Sequence, residues 1–198
     1  ADHLASFSGV MHADGYGGYK KLYGNQIIEA ACMAHVRRKF HDVIKLKPSP
    51  IAEEALSRIG ALYDIENRIR GMSADERRTL RQHHARPVLD ELKAWIEATL
   101  STLPQKQRLA EAMRYALSRW AALSVYIDDG RVEIDNNIAE RAMRPLGIGR
   151  KNWLFAGSDK GGERIANILT IIETVKLQGH NTEVYLTDVL TRIQDHPK

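Results

Sequence analysis

Cysteine is nearly absent from the 198 residues: Cys32 stands alone, so no disulfide can form within the chain and a cross-linked framework is excluded as the source of its stability. A lone thiol fits a reducing compartment. Long apolar runs are missing as well, the hydrophobic stretches being broken by Arg, Glu or Lys well short of the about 18 residues that a membrane-spanning helix needs. No internal repeat or low-complexity segment is present, and no basic-then-apolar leader precedes the first strand, so no secretory signal is expected. Neither charge sign dominates: 29 Lys and Arg against 25 Asp and Glu give +4 and a pI near 9.2. That balance permits a nucleic-acid partner without requiring one. What the chain does have is 43% hydrophobic residues, enough to fill the core of one domain.

The pattern opens as α/β. Residues 4 to 14 read as a short strand ending at Asp14, broken by Gly15, Gly17 and Gly18, and residues 26 to 33 read as a second strand leading into a helix that carries Arg37, Arg38 and Lys39. From Ser49 to Ile127 helical periodicity takes over, with Ile51, Ala55, Ile59, Leu62 and Ile69, then Leu89, Leu92, Trp95, Ile96 and Leu100, punctuated by Pro87 and Pro104. Leu109, Met113, Ala116, Trp120, Leu123 and Ile127 recur at three and four residues, as one buried face of a single amphipathic helix requires. Between these stripes, Arg77, Arg78, Arg81 and Arg86 read as a solvated helix face, with a DNA-facing surface as the alternative. Asp128, Asp129 and Gly130 mark a turn and residues 131 to 134 an extended lead. Asn137 followed by Glu140 resembles a capping box, so a helix is expected to start there and to end or bend near Pro145, Gly147 and Gly149. Ile165, Ile168, Leu169, Ile172 and Val175 form a further helical stripe closed by Gly179, and Leu186, Val189, Leu190 and Ile193 a last one.

Two carboxylates stand out for chemistry, Asp14 at a strand end beside glycines and Glu140 in the first turn of a helix next to Asn136 and Asn137. Acids brought together from distant sequence are what hard divalent cations need, although helix capping accounts for Glu140 equally well. Cys32 and His35 have the spacing of half a zinc site; the other half is missing, and packing is the simpler role for the thiol. Arg141, Arg144, Arg150, Lys151 and Trp153 combine positive charge with an aromatic ring, which suits DNA phosphates and an exposed base. The competing reading makes Trp153, Leu154 and Phe155 a buried strand with a solvated basic flank.

Four motifs in order resemble the signature of the insertion sequence 66 family of bacterial transposases: residues 14 to 19, residues 32 to 40, residues 134 to 141 and residues 149 to 157, followed by a C-terminal element at 183 to 196. The resemblance implies a DDE transposase: a mostly helical α/β chain with a partial ribonuclease-H-like core (1 to 47), a large helical insertion (48 to 128), the segment of the catalytic Glu with its basic flank (129 to 162) and C-terminal helices (163 to 198). It makes Asp14 the second catalytic Asp and Glu140 the catalytic Glu, both holding Mg²⁺ or Mn²⁺ in a two-metal site. Arg37, Arg38, Lys39, Arg141, Arg144, Arg150, Lys151 and Trp153 would contact DNA, with Asn136, Asn137, Cys32 and His35 in support. The partners implied are transposon ends and target DNA, further copies of the chain and accessory proteins of the same element, in the bacterial cytoplasm at the nucleoid. The family's first catalytic Asp has no counterpart in these residues, Asp2 lying too close to Asp14, so the chain alone is expected to be inactive. The alternatives are a remnant that binds DNA or assembles with an intact transposase, and a helical protein-interaction domain with no DNA role.

Overall fold

The computed structural model describes residues 4–195 except 5, 16, 25, 154 and 155, with the backbone alone for 145, 146 and 150–153. It is a mostly helical α/β structure. Strand β1 (Gly9–Ala13) pairs in parallel with β2 (Ile27–Ala31), Gly9 opposite Ile27 and Ala13 opposite Ala31. The first strand is shorter than its sequence pattern, because Phe7 and Ser8 lie before the pairing and Gly9 adopts a φ of 141° at its start. Helix α1 (Met33–Leu46) follows β2 after one residue and buries Met33, Val36 and Phe40, a spacing of three and four.

Helix α2 (Pro50–Arg68) starts as the sequence dictates: the Ser49 side chain accepts from the Ala52 amide and Pro50 opens the first turn. It buries Ala52, Ala55, Ile59, Leu62 and Glu66. Helix α3 (Ala74–Leu80) carries a complete capping box, Ser73 with Glu76, and runs through a π-helical turn at Arg81–Ala85 into α4 (Arg86–Thr102). Pro87 supplies the cause of the π turn. Its ring has no N–H and collides with the carbonyl of the residue four before it, and the wider winding relieves that collision without ending the rod.

The apolar stripe from Leu109 to Ile127 is buried as expected, but not by one helix. The backbone breaks at Arg119 (φ −114°, ψ 9°), giving α5 (Arg108–Ser118) and α6 (Trp120–Asp128). One core joins Ala30 and Ala31 of β2, Met33 and Phe40 of α1, Ile59 and Leu62 of α2, Leu89, Leu92 and Ile96 of α4, and Met113, Leu123 and Ile127 of α5 and α6. Each large aliphatic side chain fully buried there contributes about 1.5–3 kcal/mol relative to exposure.

The reading of the arginine-rich block as solvated is overturned: Arg81 is 0% exposed, Arg77 is half-buried on Glu66 and Glu133, and Arg86 is half-buried on Asp128, whereas Arg78 is exposed. Carboxylates within reach make burial of these cations tolerable. The stretch 129–136 is irregular, not a strand.

Ala1–Asn137 form one compact unit and Ile138–Lys198 a second. Helix α7 (Asn137–Trp153) continues through Pro145, Gly147 and Gly149 instead of stopping there. Asn137 is its first residue and not a cap, its side-chain amide donating to Asp135. Helix α8 (Asp159–Leu177), capped by Ser158, ends at Gly179 with φ 74°, and α9 (Thr182–Arg192) is capped by Asn181. No helix among the described residues is long and apolar enough to cross a membrane.

Candidate functional site

Asp14 follows β1 directly and is exposed, on a turn completed by Gly15 with φ 89°. The left-handed backbone demands glycine, and a Cβ there would stand 2.8 Å from a guanidinium nitrogen of Arg119. Arg119 in turn donates to Glu29 of β2 at 2.6 Å. The break between α5 and α6 thus delivers a cation against the turn that presents Asp14. Tyr115, one turn earlier, has its hydroxyl pushed up by burial; Arg119 opposes this while Cys32, Asp14 and Glu29 reinforce it.

Cys32 occupies the junction of β2 and α1 and is buried. Its thiol is pushed up by burial, and Sγ accepts from the Asn136 amide at 3.5 Å. A thiol held protonated is a weak nucleophile. His35 lies in the first turn of α1, half-buried.

The segment before α7 is bound at every step. Met33 N–H donates to the Ile134 carbonyl at 3.1 Å. The Asp135 carboxylate accepts from the Tyr63 hydroxyl at 2.9 Å, from the Asn137 amide at 3.1 Å and from the Asn137 side chain at 2.8 Å. Burial, then the Asp135 charge, push the Tyr63 hydroxyl far above the usual phenol range, so it remains a donor. Asn136 Oδ1 is buried with no hydrogen-bond partner among the described residues.

Beneath this segment lies a buried ion pair. Arg81 Nε and Nη2 donate to the two Glu66 oxygens at 2.8 and 2.7 Å, and Nη1 donates to the carbonyls of Tyr126 at 2.7 Å, Val132 at 2.9 Å and Asp129 at 3.1 Å. Arg77 grips Glu133 with both Nη atoms at 2.8 and 2.9 Å. Burial raises the Glu133 pKa, but the bonds from Arg77 outweigh it and hold the carboxyl below the ordinary range.

The remaining predicted residues are distributed as follows. Arg37, Arg38 and Lys39 are exposed on α1; Lys39 stands over the Tyr115 ring at 4.5 Å, while Arg37 and Arg38, with His41 and Lys45, line a cleft of about 580 Å³ against α2 that also takes in Asp42 and Asp64. Glu140 is half-buried in the first turn of α7, and Arg141 and Arg144 are exposed beyond it; these three belong to the second unit. The side chains of Arg150, Lys151 and Trp153 lie outside the described residues, as do 154 and 155, so the strand reading of that run is left with Trp153, whose backbone is helical.

Sequence reasoning passed over Glu66 and Arg119 and took Arg81 for a solvated or DNA-facing residue. A signal existed for the first. Glu66 continues the stripe Ala52, Ala55, Ile59, Leu62 at the same spacing, and a carboxylate on a buried face calls for a buried cation.

Mg²⁺ and Mn²⁺ take oxygen ligands. Asp14 and Glu140 supply carboxylate oxygens and Asn136 a buried amide oxygen that no hydrogen bond uses among the described residues, so the donors present suit such a cation in kind.

Residues 1–164 match the family model described as Transposase IS66 family, and residues 170–198 match the IS66 C-terminal element. Among curated proteins, the uncharacterized protein y4jD of Sinorhizobium fredii is 41% identical over 96% of this chain and 39% of its own length. Two others from the same organism are similar: y4qI is 41% identical over 98% of the chain and 37% of its own length, and y4hP 38% identical over 98% and 38%. The chain therefore spans about two fifths of the relatives it matches. No solved structure matches it.

Proposed function

Because the chain belongs to the insertion sequence 66 family of transposases, we propose that it forms part of an enzyme that cuts and joins DNA strands at transposon ends, with Asp14 and Glu140 as metal-holding carboxylates. The observation that carries this reading is the placement of Asp14: an exposed carboxylate at the end of a parallel strand, on a glycine turn braced by Arg119 and Glu29. A parallel pair followed by α1 is consistent with a later part of a ribonuclease-H-like sheet, downstream of its opening strands.

Asp14 and Glu140 would hold Mg²⁺ or Mn²⁺, whose charge lowers the cost of forming a nucleophile from water or a 3′-hydroxyl and of releasing the opposite oxygen. A third carboxylate is required by the resemblance and is proposed to come from a part of the transposase outside these 198 residues. Arg119 keeps the Asp14 turn in place against Glu29. Asp135 fixes the first residue of α7, and Glu140 follows within one turn. Arg37 and Arg38 on α1 and Arg141, Arg144, Arg150, Lys151 and Trp153 on α7 would bind DNA phosphates and bases, and Lys39 would add charge above Tyr115. Exposed Ile168, Ile171 and Leu177 on α8 and Val184 and Leu190 on α9 are consistent with self-association.

In the complete transposase, Asp14→Asn and Glu140→Gln should each abolish metal-dependent strand cleavage, a loss of at least about a thousandfold given what charge stabilisation contributes in such sites, while circular dichroism and melting stay unchanged. Retained cleavage in either variant rejects the assignment. The second reading, a DNA-binding or assembly module without chemistry, is favoured by the exposed basic residues Arg37 and Arg38 on α1. It calls for DNA affinity that falls linearly with log salt and is indifferent to metal and to Glu140→Gln.

A further inference from the structure

We propose that Arg81, paired with Glu66, is a positioning residue for the start of α7 at Asn137, whose first turn carries Glu140; this rests on the reading of Glu140 as a metal-holding group. Among the described residues Arg81 is the largest fully buried side chain, and it lies in the helical stretch far in sequence from either acid. Its bonds run to two different kinds of acceptor. Glu66 neutralises it from α2, and the carbonyls of Tyr126, Asp129 and Val132 converge on Nη1 from the end of α6 and the irregular stretch that follows.

Stability alone gives a poor account of this arrangement. A buried ion pair can commonly be replaced by apolar side chains of similar volume with little loss or even a gain. What no apolar side chain can do is supply N–H groups to buried carbonyls in a segment without helix or strand bonding. The planar guanidinium does both at once, one edge on the carboxylate and the remaining nitrogen on the backbone.

From Val132 the fastening continues without a gap. Arg77 grips Glu133, Met33 N–H takes the Ile134 carbonyl, Tyr63 and Asn137 take the Asp135 carboxylate, and the Asn136 amide rests on Cys32. Asn137 then opens α7, and Glu140 lies in that first turn. The buried pair thus fixes where the backbone leaves α6 and the point at which α7 begins, one turn before Glu140. Gly130 shows how little slack this path has, since a Cβ there would meet the Ala74 carbonyl at 1.8 Å.

The test is the double variant Glu66→Leu/Arg81→Met, which keeps the buried volume and removes both charges, together with Arg81→Lys, which keeps the charge without the fork. Hydrogen exchange on this chain should be at least tenfold faster at the amides of 132–137 in both variants, with α2 and α4 protected as in the wild type. In the complete transposase, kcat for strand cleavage should fall at least tenfold with KM for the DNA end unchanged, a split that general loss of folded protein does not produce once melting is shown to be retained. Wild-type exchange at 132–137, or wild-type kcat in a folded double variant, overturns the proposal. If the double variant does not fold, Arg81→Lys decides by the same two readouts. If the wild-type transposase shows no metal-dependent cleavage, the transposase reading fails and the exchange result alone judges the clamp: faster exchange supports it, unchanged exchange removes it.

Discussion

His12 lies in the middle of β1 with Nε2 3.2 Å from the Ala31 carbonyl oxygen. Burial lowers its pKa below the ordinary 6.5, against the opposing pull of that bond and of the Asp135 and Glu133 charges. A histidine depressed in the folded state takes up its proton more readily when the chain unfolds, so the stability it contributes is complete above pH 6.5 and is lost as the pH falls below that value. The melting temperature should therefore decline between pH 7 and pH 5, and His12→Gln should flatten that slope; an identical slope in both proteins would show that His12 is not the group responsible. Cys32 follows the same physics with the opposite charge type, since burial keeps its thiol protonated and leaves Sγ to accept the Asn136 amide.

Among the elements, the turn between α6 and the lead to α7 leaves no room for a side chain at Gly130. Gly130 is buried against Ala74 at the start of α3, and adding one methyl puts carbon into a backbone carbonyl that cannot rotate away. Gly130→Ala should cost about 3 kcal/mol, the upper end of what overpacking does, measured as a shift of the urea midpoint at unchanged slope; a shift near zero would mean that α3 and the turn can part without loss. Elements whose signals were local came through in the sequence. Strand β2 into α1, the cap at Gly179 and the stripe on α4 all follow from spacing and capping chemistry. The break at Arg119 did not, because Trp120 follows Ala116 by four residues and the apolar phase runs across the break undisturbed. Pro145 misled in the other direction: its fixed φ is helical, and losing one hydrogen bond did not end α7.

At the scale of the molecule, the first unit holds the core and the second is thinly buried: of the described hydrophobic residues beyond 137, Val175 alone is classed with the core, while Ile168, Leu177, Val184 and Leu190 are more than half exposed. Local stability should follow burial. Amides of α8 and α9 should exchange at least about a hundredfold faster than those of α1, α2 and α4, measured by mass spectrometry on the intact chain; equal protection would show that the second unit has apolar cover in solution. Of the candidate site, Asp14, Glu140, Asn136 and Asn137 were visible as motifs. The burial of Arg81 on Glu66 and the place of Arg119 were not, because a cation paired across 15 residues or a guanidinium resting on a turn 104 positions away leaves no local pattern beyond the one out-of-place carboxylate. The π turn at Arg81–Ala85 has one more effect on this architecture, which is rotational. Four residues overrun a full turn of α-helix by about 40°, so Arg77, Arg81, Ala85 and Leu89, three steps of four, would drift about 120° around an unbroken rod. The bond from Arg86 N–H to the Arg81 carbonyl, five residues apart, winds more slowly and takes back part of that drift. A single rod thereby turns guanidinium groups toward Glu66 at one end and Leu89, Leu92 and Ile96 toward the core at the other. The two contacts are geared to each other, and neither can be re-registered alone.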